Sequence, residues 1–177
     1  RMRITSSGEW MVATTSSNPD TGTGNGMAYS SSKFRVARSG DPCAAFNRSN
    51  STGIIVSFNY NGTSRGTIST DGTVISVTGT SDYRLKENEV SISNSITRLK
   101  QLKPYRFNFK ETPGVTVDGF FAHEVQSIVP EAVFGDKDAV HSSADDKEGI
   151  KAGDIDPQQL DYSKLVPLLT AALQESI

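Results

Sequence analysis

The sequence predicts two units of different kinds: a β-rich, oligomeric unit over residues 1–80 and an α+β unit over residues 81–177 that closes on a helix. Three observations carry this. Ser, Thr, Gly and Asn supply 42 of residues 1–80 but only 21 of the 97 residues from 81 to 177. Charge divides at the same place, with 7 basic and 4 acidic groups before it (net +3) and 11 and 16 after it (net −5). The hydrophobic pattern changes as well, from short bursts between turn signals to helical stripes and strict alternation.

Composition excludes several classes. With 18 basic and 20 acidic residues the net charge is −2, so no electrostatic footprint for nucleic acid is present. No run of about 18 apolar residues exists, and no membrane insertion is expected. The start, Arg1 to Ile4, has no apolar core of the signal-peptide type. One cysteine, Cys43, excludes an internal disulfide framework, and two histidines with one cysteine do not make a structural zinc site. No metal and no cofactor is expected.

In the first unit the apolar bursts are Lys33 to Arg38, Gly53 to Phe58 and Val74 to Val77. Gly24-Asn25-Gly26, Asp41-Pro42, Asn61-Gly62 and Asp71-Gly72 lie around them, and short β runs joined by Asn-Gly or Asp-Gly read as hairpins. These strands are too few and too polar to bury a core of their own. Without disulfides or metal, oligomerisation is the remaining physical remedy. A flexible Ser/Thr-rich linker is the bland alternative, and the β-branched bursts argue against it.

In the second unit, Ser91 or Ser93 is a candidate cap for a helix carrying Ile92, Ile96, Leu99 and Leu102, which Pro104 stops. Tyr105, Phe107 and Phe109 alternate with Arg106 and Asn108 as a half-buried strand does. Pro113-Gly114 reads as a turn and Val115 to Val117 as a short strand. Phe121, Val125, Ile128 and Val129 form a helical stripe within Gly119 to Val129, ended by Pro130. Residues 135–158 are charged and nearly free of apolar anchors, and read as a long loop or extended arm. Ser163 starts a final helix through Leu165, Leu168, Leu169, Ala172 and Leu173, with Pro167 tolerable near its first turn.

The boundary carries the chemistry. In Thr80-Ser81-Asp82-Tyr83-Arg84-Leu85-Lys86-Glu87-Asn88 a hydroxyl precedes a lysine by five residues. A Ser–Lys pair performs acyl transfer when the amine is neutral enough to take the hydroxyl proton, and Arg84 is a candidate source of the positive charge that favours the neutral amine. On spacing alone, a solvated interdomain linker contains the same residues. Other groupings are weaker. His123 and His141 with Asp118, Ser127, Asp136 and Asp138 lack the strand–turn–helix context of a hydrolase nucleophile, and His123 reads as a packing or interface residue. Asp136-Lys137-Asp138 and Asp145-Asp146 lack calcium-loop spacing and read as solvated surface. Tyr105, Phe107 and Phe109 beside Arg106 read as core rather than a base-stacking platform.

Ser81 to Asn88 resembles the opening signature of the intramolecular chaperone domain, the endosialidase-type self-cleaving peptidase domain at the C-terminus of phage tail spikes and fibres. Leu99 to Phe107, Gly119 to Val133 and Asp161 to Glu175 resemble its later blocks in the same order, and Gly66 to Thr73 resembles the fibre stalk that commonly precedes it. Tyr83 stands at a position treated as variable. The resemblance implies a homotrimer whose stalk end, residues 1–80, is intertwined in a β-helix or β-prism manner. It implies that residues 81–177 fold that stalk as client, with the final helix near the trimer axis, and then cut at Thr80–Ser81 with Ser81 as nucleophile and Lys86 as its helper. Related arms reach along the stalk, so residues 135–158 are expected to brace it. Such domains often continue into a coiled coil, so the chain is expected to be trimmed at Ile177. The implied setting is the virion tail fibre or spike, with the chaperone released in the host cytoplasm and a host-surface receptor engaged through the wider fibre. A non-cleaving structural or receptor-binding tip is the alternative. A membrane-tethered transcription factor with the same domain fits the polar β-rich half poorly.

Overall fold

Antiparallel pairing between chain neighbours organises the first of two compact units, Arg1–Glu89, and a helix-backed core organises the second, Val90–Ile177. The computed structural model describes residues 2–6, 8–14, 19, 25–30, 32–144 and 150–177. Arg1, Gly24 of the expected Gly24–Gly26 turn, and Asp145-Asp146 of the arm lie outside the described residues.

In the first unit, β1 (Met2–Ile4), β2 (Trp10–Val12), β3 (Gly26–Ser30) and β4 (Lys33–Ala37) form one meander. Register puts Ile4, Trp10, Tyr29 and Phe34 in one cross-strand row, and Met2, Val12, Met27 and Val36 in the next row on that face. Trp10 lies 6.4 Å from Tyr29 and 5.8 Å from Phe34 between ring centroids. This face is wholly apolar, yet Met2, Ile4, Tyr29 and Phe34 are exposed. The opposite face buries Met11, Ala28 and Arg35, whose guanidinium donates to the Ser30 carbonyl at 2.7 Å.

A second meander joins β5 (Gly53–Tyr60), β6 (Thr63–Thr70) and β7 (Ile75–Gly79). Asn61 and Gly62 both take positive φ (49° and 76°), the backbone a two-residue hairpin needs, which explains the Asn-Gly pair. At the next turn Asp71 Oδ1 accepts from the amides of Thr73 and Val74, each at 2.8 Å. Those bonds hold the Asp71 carboxyl below the usual aspartate range. Val56, Ile68 and Val77 lie in one row across the sheet, while Thr67 and Thr78 hydrogen-bond at 3.0 Å in the adjacent one. Val77 is 77% exposed and Phe58 is 55% exposed, so among the described residues of this unit the apolar face is also bare.

In the second unit, Val125, Val129, Ala132, Val133, Leu165 and Leu168 form the core, with Leu102, Phe120 and Leu160 packed against it. Strands β8 (Tyr105–Asn108) and β9 (Thr116–Gly119) pair as a hairpin, and β10 (Val133–Phe134) pairs with β11 (Gln159–Leu160). The alternation at Tyr105 and Phe107 is therefore a strand.

Three helices differ in extent from their sequence patterns. Helix α1 is Ser95–Leu99, because Asn94 takes left-handed backbone (φ 53°) and leaves Ser91, Ile92 and Ser93 outside. Its cap is Glu175, whose Oε2 accepts from the amides of Ser95 and Ile96 at 2.8 and 3.3 Å. Helix α2 is only Ala122–Gln126, since Phe121 is extended, but Val125 and Val129 are buried as the stripe predicts. The last helix, α3 (Val166–Glu175), follows a 3-10 turn, Tyr162–Leu165, which is capped by Asp161 rather than begun by Ser163. Its stripe divides: Leu165, Leu168 and Ala172 are buried, whereas Val166, Leu169 and Leu173 are exposed.

Among its described residues the loop or arm pairs with itself in part. Val140 bridges Ile155, His141 N–H donates to the Asp154 carbonyl at 2.9 Å, and Asp156 N–H donates to the Ala139 carbonyl at 3.0 Å.

Candidate active site

Strand β7 delivers the chain to the site. Beyond Gly79, the Thr80 amide still donates to the Arg65 carbonyl on β6 at 3.1 Å, so one more bond holds Thr80 just past the end of β7. The Thr80–Ser81 peptide bond thus leaves the sheet edge with its N-terminal side anchored.

A single turn of 3-10 helix, Tyr83–Leu85, follows at once. Asp82 begins it: its Oδ1 accepts from the Arg84 amide at 2.9 Å, and its carbonyl accepts from the Leu85 amide at 3.2 Å. The turn closes when the Lys86 amide donates to the Tyr83 carbonyl at 3.0 Å. An Asp at the head of such a turn satisfies donors that would otherwise lack partners. The result is a reversal that brings Lys86 back over Ser81, with Nζ donating to Ser81 Oγ at 2.8 Å.

Arg84 does not supply free positive charge. Its Nε donates to Asp82 Oδ1 at 3.0 Å and its Nη2 to Oδ2 at 2.6 Å, a two-pronged pair. Arg84, then the charge of Lys86, hold the Asp82 carboxyl below the usual aspartate range, and Asp82 raises the guanidinium in turn. Sequence reasoning identified Ser81 and Lys86 but not this pairing, nor the Thr80 anchor. The Asp-x-Arg spacing within a tight turn is the signal that points to the pair.

Of the weaker groupings, His123, Asp136 and Asp138 line one cleft, while several members have other partners. Asp118 pairs with Arg106 at 2.7 Å, Ser127 Oγ donates to the Glu124 carbonyl at 3.0 Å, and His123 stacks on Phe121 with centroids 6.0 Å apart. Asp138 pairs with Lys137. Among the described residues no group of three or more His, Cys, Asp or Glu is positioned for a metal ion, and no helix is long and apolar enough to cross a membrane.

A serine hydroxyl that holds a lysine amine brings together the two groups that a Ser–Lys acyl transfer needs. Residues 81–134 match the family model described as chaperone of endosialidase, a family classed with the peptidases. The match begins at Ser81 itself, and its description names a chaperone of the endosialidase type. No curated protein matches the chain.

Proposed function

We propose that this chain is the stalk end of a trimeric phage tail fibre or spike together with the chaperone that folds it and then cuts itself away at Thr80–Ser81. The observation that carries the reading is the 2.8 Å contact from Lys86 Nζ to Ser81 Oγ, one residue beyond a peptide bond anchored to β6. The neutral Lys86 amine takes the Ser81 hydroxyl proton as Oγ adds to the Thr80 carbonyl carbon. The Thr80 C–N bond then breaks, and the departing Ser81 nitrogen takes that proton back from Lys86. The resulting ester is hydrolysed by water, which leaves a carboxylate on Thr80 and a free amine and hydroxyl on Ser81. Backbone amides are the expected stabilisers of the oxyanion.

Two uncovered apolar sheet faces in the first unit, and the uncovered Val166–Leu169–Leu173 edge of α3, support trimerisation. Isolated single-layer sheets with one bare apolar face are not self-sufficient. In the trimer the stalk strands are intertwined as a β-helix or β-prism, α3 lies near the axis, and cleavage follows assembly. The stalk is the chaperone's client, and the virion is its destination. The deciding experiment is denaturing electrophoresis with intact mass of freshly expressed protein. Two fragments with a new amino terminus at Ser81 support the reading, and a single uncut band favours a non-cleaving structural or receptor-binding tip.

A further inference from the structure

The most constrained charges near Ser81 belong to Asp82 and Arg84, and the cleavage chemistry uses neither. We propose that Arg84 is a positioning residue that holds the Asp82 carboxylate away from Lys86, so that the lysine amine stays directed at Ser81 and free to lose its proton. This rests on the Ser–Lys reading above and adds a residue to it.

The geometry argues for it as follows. Asp82 and Lys86 flank one turn of 3-10 helix, Tyr83–Leu85, so their side chains leave the same short reversal. Lys86 lies close enough for its charge to act on Asp82. A carboxylate at that position with no other partner pairs with the ammonium and keeps it charged. It also competes with Ser81 Oγ for the Nζ protons. Arg84 prevents both, since its Nε and Nη2 engage both carboxylate oxygens while its own amide takes Oδ1. Toward Lys86 the Asp82–Arg84 pair is formally neutral. An arginine suits the task because it stays protonated and grips both oxygens at once. Glu87 follows Lys86 in sequence, and on the neighbouring strand the Arg65 carbonyl anchors Thr80.

The test compares the full chain with Arg84→Gln, Asp82→Asn and the double variant, following cleavage from neutral pH to about pH 10. Arg84→Gln is expected to move the pH profile upward and to slow cleavage near neutrality roughly 3- to 10-fold, the scale of one exposed carboxylate facing a lysine. Asp82→Asn, whose amide oxygen still caps the turn, is expected to keep cleaving near neutrality. The decisive arm is the double variant: with the carboxylate gone, losing Arg84 no longer shifts the profile. If the double variant is as slow and as shifted as Arg84→Gln alone, Arg84 acts by another route and the proposal is wrong. A second readout does not depend on cutting. In a Ser81→Ala background with 13C-labelled lysine, the Lys86 Cε titration is followed by NMR. Arg84→Gln raises its midpoint and the further change Asp82→Asn reverses the rise; no movement in either overturns the proposal. Failure of the parent chain to cleave removes the Ser–Lys reading, whereas a cleaving parent with unmoved profiles removes only the role of Arg84.

Discussion

Lys86 Nζ stands 2.8 Å from Ser81 Oγ, although five residues separate them, because one turn of 3-10 helix folds the chain back on itself. Both side chains are exposed within the single chain. Removing the hydroxyl with Ser81→Ala is expected to abolish the proposed cleavage and to leave assembly into the proposed trimer intact. Lys86→Ala and Lys86→Arg are expected to block it too, since a guanidinium keeps its proton and does not serve as base. Electrophoresis reads the cut and light scattering reads the assembly. Near-normal cutting by the arginine variant would reduce Lys86 to an electrostatic role.

The divided stripe of α3 allows folding to be tested apart from the proposed assembly. Leu168 is 3% exposed, so Leu168→Ala is expected to destabilise the second unit by about 2–5 kcal/mol. Its neighbour Leu169 is 46% exposed, so Leu169→Asp is expected to leave the fold of that unit standing and to abolish the trimer and cleavage together. Circular dichroism with urea titration and light scattering distinguish the two outcomes. Normal trimers with Asp at position 169 would remove α3 from the axis.

Glu175 caps a helix that lies 80 residues before it in sequence. Glu175→Ala leaves the Ser95 and Ile96 amides without that acceptor, at a cost of about 1 kcal/mol. Glu175→Gln retains an acceptor oxygen and is expected to lose less. A urea midpoint unchanged by the alanine variant would show the cap to be dispensable.

Glu124 gives the second unit an acid-sensitive joint. Its Oε1 accepts from Lys103 Nζ at 3.1 Å and from Tyr105 Oη at 3.3 Å. Lys103 chiefly, against a smaller opposing effect of burial, holds this carboxyl below the usual glutamate range. A depressed carboxyl contributes stability that is fully present above its unfolded value and is lost as pH falls through the folded one. The thermal stability of the second unit is therefore expected to fall on acidification through that range, and Glu124→Gln is expected to flatten this dependence. Identical pH slopes for the two proteins would rule the joint out.

Much of this protein was legible locally. Asn61-Gly62 specifies its hairpin turn because both residues tolerate positive φ, and Tyr105 to Asn108 alternates because one strand face packs. Ser81 and Lys86 were visible as a spacing, since a short turn between them is a local event. What lay beyond sequence were relationships that depend on what else arrives in space. Arg84 has acidic neighbours on both sides in sequence, and only the folded turn assigns it to Asp82 rather than leaving its charge free for Lys86. The first helix begins at Ser95 instead of near Ser91, after a left-handed Asn94, and its cap comes from Glu175; no local pattern encodes a partner that distant. The apolar stripe of the last helix predicts burial, but it does not say which edge meets the chain's own core. Packing decided that, placing Leu165, Leu168 and Ala172 inside and leaving Val166, Leu169 and Leu173 bare. Periodicity records which side chains shun water, and tertiary contact alone determines what covers them.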